Sequence, residues 1–246
     1  MAITPSARLL LRRLAGPAAD TARKLVARSG ERSWSQEGED RVLLRYFIGE
    51  NSGFYVDVGA HHPHRFSNTA LLHRLGWRGI NIDAMPGSMQ PFRRHRPNDV
   101  NLEIGIAETP GTAKFHIFDE TALNTFDGEI AARHAGTHYK LKRVVDVPLL
   151  PLRDVFAQHL SPGQAIDLMS VDAEGHDLGV LRSNDWDRHR PRLVLAESIG
   201  KTIADLPDDP CAQFMQAVGY VAYAKTINTV FYADRRRIDT AAGVAA

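Results

Sequence analysis

From residue 54 onward, short apolar runs alternate with amphipathic segments along nearly the whole chain. FYVDVG (54–59) reads as a strand, because its β-branched and aromatic residues form a run too short for a helix. SNTALLHRLG carries leucines at helical spacing, with Ser67 or Asn68 as cap and Gly76 as stop. GINIDA is the second strand, PGSMQPFRRH a short helix with Pro86 near its first turn, and NLEIGIAE the third strand. AKFHIFD and VVDVPLL are additional strands around a Gly- and His-containing insert, LRDVFAQHL is a helix, and IDLMSVDAEG is the fourth main strand. LGVLRSNDW returns as a helix, RLVLAES is the fifth strand, and CAQFMQAVG is a helix ended by Gly219. YVAYAKT and NTVFYAD close the chain as two strands joined by a tight Ile-Asn turn.

This alternation predicts an α/β fold: a Rossmann-like, mostly parallel sheet with helices on both faces, an antiparallel edge, and ligands at the carboxyl ends of the strands. No internal repeat or Gly/Ser linker interrupts it, so residues 33–238 are expected to form one domain and 239–246 a frayed tail. Residues 1–32 form an extension of different character. Within residues 1–30, Arg8, Arg12, Arg13, Arg23, Lys24 and Arg28 face a single acid, Asp20, and Leu10, Leu11 and Leu14 share one helical face. Such a segment packs on its own domain, contacts a membrane surface, or serves as a dimer arm. Its apolar run between arginines is too short for a secretory signal.

Composition narrows the function classes. With a formal charge of +1, and no stretch interleaving basic and aromatic residues, nucleic acid is not an expected partner. No apolar run approaches the ~20 residues of a membrane span. The single Cys211 forms no internal disulfide, which suits a reducing, cytoplasmic location.

The turn after the first strand carries the chemistry. A dinucleotide site needs G-x-G-x-x-G so that bare amides meet a pyrophosphate; here Gly59 stands alone, with His61 and His64 at the other two glycine positions. That argues against an NAD-dependent oxidoreductase. S-adenosylmethionine carries no phosphate and needs one close backbone approach plus polar groups for its ammonium and carboxylate, which Asp57, Gly59 and Asn68 supply. Asp83 ends the second strand and suits two ribose hydroxyls, although NAD enzymes place an acid there too.

Taken together, SQEGED (35–40), GFYVDVGAHHPHRFSNT, LGWRGINIDAMP, RPNDVNLEIGI, LNTF and IDLMSVDAEGHDLGVLRSNDW resemble the FkbM family of S-adenosylmethionine-dependent methyltransferases, in order over residues 33 to 235. The resemblance implies a class I methyltransferase fold and methyl transfer to a hydroxyl of a sugar, glycolipid, polysaccharide or secondary metabolite. By the same resemblance, Asp57, Gly59 and Ala60 line the methionine half of the cofactor, while Asn68 and Thr69 open the helix beneath it. Asp83 holds the ribose; Ala84, Met85, Pro86 and the segment 103–106, with Ile106, border the adenine. Gln36 and Glu39 close over the cofactor, and His61 and His62 serve equally well as ligands or as loop filler.

Methylating a hydroxyl also requires a base, or a metal that lowers the hydroxyl pKa. Asp172, Glu174 and His176 follow one strand and Glu197 ends the next, so three carboxylates and an imidazole are expected on one rim. His176 is the preferred base, and Asp172 and Glu197 are the oxygen ligands for a divalent cation such as Mg²⁺. Capping the following helix is the plainer role for Glu174 and His176. FRRHR (92–96) reads as a solvated helix face and RPNDV (96–100) as a loop; residues 123–141 are the candidate acceptor-facing lid. A binding module that keeps this fold without catalysis is the remaining alternative.

Overall fold

The computed structural model describes residues 33–120 and 123–238. Seven strands form the main sheet in the order β3-β2-β1-β7-β8-β10-β9. Their ranges are β1 Phe54–Val58, β2 Arg78–Ile82, β3 Val100–Leu102, β7 Leu168–Val171, β8 Leu193–Glu197, β9 Tyr220–Lys225 and β10 Thr229–Asp234. The first five pair in parallel, whereas β10 runs antiparallel between β8 and β9, the antiparallel edge the sequence predicts.

Burial on both faces explains why these strands read as near-continuous apolar runs. Along β1 and β8, Val56, Val58, Val194 and Ala196 point to one core, and Tyr55, Leu193 and Leu195 to the other. The first core is closed by α5 (Leu152–His159), α6 (Asp177–Arg182) and α7 (Pro210–Ala217) through Leu152, Val155, Phe156, Val180, Leu181 and Met215. The second is closed by α1 (Glu39–Tyr46) and α2 (Ala70–Arg74), with Leu43, Leu44, Leu71, Leu72 and the fully buried Trp77. Each fully buried Leu or Val contributes about 1.5–3 kcal/mol of transfer free energy.

Two features depart from the expected alternation. NLEIGIAE is not one strand: β3 joins the main sheet, while β4 (Gly105–Ile106) turns into a second, three-stranded sheet of order β4-β6-β5. In that sheet β5 (Gly111–Phe118) and β6 (Leu141–Leu150) form a long antiparallel hairpin, and β4 pairs in parallel with the far end of β6. The insert between them contains α4 (Gly128–Ala135), capped by the Asp127 carboxylate accepting from the Glu129 and Ile130 N–H groups. A short helix, α3 (Met89–His95), links β2 to β3. The readings of residues 1–32 and 239–246 lie outside the described residues, among which no helix is long and apolar enough to cross a membrane.

Candidate active site

A cleft opens at the carboxyl ends of β1, β2 and β7, where the backbone turns away from the sheet and leaves room for a ligand. Its lining contains ten of the residues singled out in the sequence: Gln36, Gly59, His61, Asp83, Ala84, Met85, Ile106, Asp172, Glu174 and His176.

Asp83 is the best-defined of these. Its Oδ2 accepts from the His61 N–H at 2.9 Å and its Oδ1 from the Met85 N–H at 2.8 Å. Each oxygen keeps a lone pair for a further donor, which is the requirement for holding a diol. Burial raises its pKa, and the two backbone donors pull the other way. Ala84, Met85, Ile104 and Ile106 supply an apolar slot beside it.

Gly59 has a φ of +76°, and a Cβ there would lie 1.7 Å from the carbonyl oxygen of Asp172 on the neighbouring strand. The glycine is therefore required by the closeness of two strand ends as well as by any ligand. His61, Phe66 and Glu174 adopt positive φ without being glycine, at 51°, 54° and 48°. Each costs roughly 1–3 kcal/mol and persists only where the surroundings impose it.

The remaining expected cofactor residues lie behind the lining rather than in it. Asp57 is buried and accepts from Thr69 Oγ1 at 2.5 Å; desolvation raises its pKa, and the Thr69 hydrogen bond and Arg96 oppose the rise. Asn68 donates to Ser170 Oγ at 3.1 Å, and Ala60 packs against Met89 and Phe92. Glu39 is also buried, accepting from the Thr226 hydroxyl and the Glu37 N–H, so it fastens α1 to the sheet edge and does not close over the cleft.

Arg96 organises this layer; residues 96–99 are the expected loop into β3, but the burial of Phe92 and Arg96 corrects the reading of FRRHR as a wholly solvated helix face. Only 1% exposed, its guanidinium donates to Thr69 Oγ1 and Asn81 Oδ1 at 2.8 Å, Pro63 O at 2.7 Å and Ser67 Oγ at 3.1 Å. Arg93, Arg94 and His95 are solvated as expected. The guanidinium's partners, which include the Tyr55 hydroxyl at 3.2 Å, lie 15 to 41 residues away in sequence, which no local pattern reveals.

On the opposite wall stand four carboxylates. Burial above all holds Asp172 and Glu197 well above the ordinary carboxylate range, followed by repulsion from Glu174 for Asp172 and from Asp172 for Glu197. Glu174 is pushed up to about 7, first by burial and then by Asp177. Glu197 is set back from the cleft lining. Among the described residues no group of three or more His, Cys, Asp or Glu side chains is placed to hold a metal ion.

The raised Glu197 gives a testable sign. The folded state binds that proton more tightly than the unfolded chain, so stability falls as pH rises above the unfolded carboxylate value. Glu197→Gln should remove this dependence and raise Tm at pH 8 to 9 by about 2–4 °C, the shift expected for ~1 kcal/mol in a chain of this size. Thermal melts of both proteins at pH 5 and pH 9 would show it, and parallel pH profiles would refute it.

The third wall comes from the insert. Asn124, Thr125 and Phe126 line the cleft with Phe115 of β5. The Asn124 amide donates to Met85 Sδ at 3.4 Å, joining the insert to the Asp83 side, while the rings of Phe126 and His176 meet edge-on at 6.2 Å. Arg65, Phe66, Glu120 and Ala173 also line the cleft, and no role for them was legible in the sequence.

A family model described as the methyltransferase FkbM domain matches residues 57–221, about two-thirds of the chain. The chain belongs to the FkbM methyltransferase family. This FkbM protein is accordingly an S-adenosylmethionine-dependent methyltransferase, and the donor set fits that cofactor: a buried acid at the end of β2 with accepting capacity left over, an apolar slot beside it and a single glycine at the turn after β1. Among solved structures it is similar to a candidate O-methyltransferase from Klebsiella pneumoniae (13% identity, 92% of this chain and 94% of that one, TM-score 0.41). It is also similar to a Bacillus cereus O-methyltransferase in complex with SAH (11% identity, 89% and 91%, TM-score 0.40). Among curated proteins there is no match.

Proposed function

We propose that this FkbM methyltransferase acts on a hydroxyl of a sugar, glycolipid, polysaccharide or hydroxylated secondary metabolite. The observation that carries this is Glu174, a cleft-lining carboxylate held at about 7 on the wall facing Asp83. A hydroxyl is a poor nucleophile near neutrality and needs a base whose pKa lies close to the working pH. Glu174 meets that condition, and its positive φ keeps the carboxylate on the turn after β7. This moves proton removal from His176, the base preferred from sequence, to its neighbour two residues earlier; His176 remains on the same wall.

S-adenosylmethionine supplies, when bound, an electrophilic methyl group. Asp83 would accept from its ribose hydroxyls, the Ala84–Met85–Ile106 slot would take the adenine, and the insert wall with Phe126 would exclude water. Asp172 and Glu197, both held well above the ordinary carboxylate range mainly by burial, keep the negative charge of the wall low enough for Glu174 to cycle between its two forms. Turnover abolished by EDTA and restored by Mg²⁺ would reassign that acid pair as ligands.

The cofactor side is tested by Asp83→Ala. Losing two charge-assisted hydrogen bonds should weaken S-adenosylmethionine binding by about 100-fold in calorimetry. Unchanged affinity would remove Asp83 from the site. The acceptor side is tested by incubating the enzyme with hydroxylated glycans and methyl-labelled cofactor; the expected product is a methyl ether, and label found only on nitrogen or on a carboxylate would sink the reading.

A further inference from the structure

The cleft lining holds four carboxylates, Asp83, Glu120, Asp172 and Glu174, and one guanidinium, Arg65. No carboxylate of the described residues lies within ion-pair distance of that guanidinium; it rests instead on the ring of Phe66, 4.6 Å from its centroid. Phe66 is 47% exposed and bulky, yet its φ is +54°, a conformation a free loop would abandon.

The flanking residues explain how it is held. Arg96 takes Pro63 O and Ser67 Oγ on either side of the pair, and the Ser67 N–H donates to Trp34 O at 2.9 Å. His62 Nδ1 accepts from the His64 and Arg65 N–H groups, tightening the turn from within. The loop is thus pinned at both ends, and its two central side chains are placed at the cleft.

Resting on the methyltransferase reading above, we infer that Arg65 binds the carboxylate of the cofactor's methionine moiety, with Phe66 as the platform that orients the guanidinium. The chemistry is selective: Arg65 is the one guanidinium among the lining residues, and its planar group matches a carboxylate with two parallel hydrogen bonds. The cofactor's ammonium has acidic partners to choose from on the facing wall, so its two charges are sorted to opposite sides. Asp57 and Asn68, the sequence's candidates for this end, are occupied by Thr69 and Ser170.

Two nucleosides separate this assignment from its rivals. S-adenosylhomocysteine carries the amino-acid end; 5′-methylthioadenosine keeps the adenosine and thioether but lacks it. In calorimetry, Arg65→Ala should weaken S-adenosylhomocysteine about 10- to 100-fold and leave 5′-methylthioadenosine within about 2-fold, with Arg65→Lys recovering part of the loss. Equal losses for both ligands would show collapse of the loop and overturn the assignment. Unchanged S-adenosylhomocysteine affinity with a raised KM for the acceptor would overturn it in favour of an anionic acceptor. Wild-type protein that binds neither nucleoside would refute the cofactor reading itself, a result distinguishable from both.

Discussion

Glu174→Gln should lower turnover by about 10²–10³-fold while S-adenosylhomocysteine affinity changes less than about 3-fold, because the substitution removes a base and little volume. The pH profile is the more discriminating readout. A base works deprotonated, so wild-type kcat/KM should rise through about pH 7, where Glu174 titrates, and level off above it. In Glu174→Gln that limb should vanish. His176→Ala should cost less than about 10-fold and keep the limb. The opposite ranking, with the limb lost in His176→Ala, would restore the imidazole as base.

Gly59→Ala should be the most damaging single-methyl change in the molecule. The added carbon would sit 1.7 Å from the Asp172 carbonyl oxygen, well inside van der Waals contact, on a backbone at φ +76°. Neither atom can step aside, since the Gly59 N–H donates to Ile82 O at 2.9 Å and the Asp172 N–H to Val58 O at 3.0 Å. A loss above about 4 kcal/mol is expected, in the range reserved for severe core defects. Gly175→Ala is the matched control, with φ +88° and no atom within 4 Å of the new carbon. It should cost only the left-handed strain of about 1–2 kcal/mol. Denaturant melts of the pair isolate the steric contact from the dihedral; similar midpoints would mean the two strand ends are not rigidly opposed.

The main sheet was legible because strands buried on both faces leave uninterrupted apolar runs, and VDVG, NIDA and VDAEG each carry an acid in or just past the last residues of a strand. Asp83 and Glu174 were found that way. Asp57 carries the same signal, yet its side chain turns to the opposite face and meets Thr69, a distinction set by strand parity and packing. NLEIGIAE hid a change of sheet because Glu103 and Ile104 look no different from strand residues; only the pairing of Ile106 with Leu150 reveals the split. Arg65 and Arg96 were missed for related reasons. One depends on a positive φ at the following phenylalanine and the other on distant partners, and neither leaves a periodic trace.

The β5–β6 hairpin has one further implication. Rooted at Ile106 and Leu150, it brings Phe115 back against Ala84 and Met85 and sets the Asn124 amide on Met85 Sδ, so the insert packs on the residues that follow β2. Exchanging the outer arm would therefore disturb the segment after β2 as well, and an altered insert must keep the Phe115 and Asn124 contacts if Ala84 and Met85 are to stay in place.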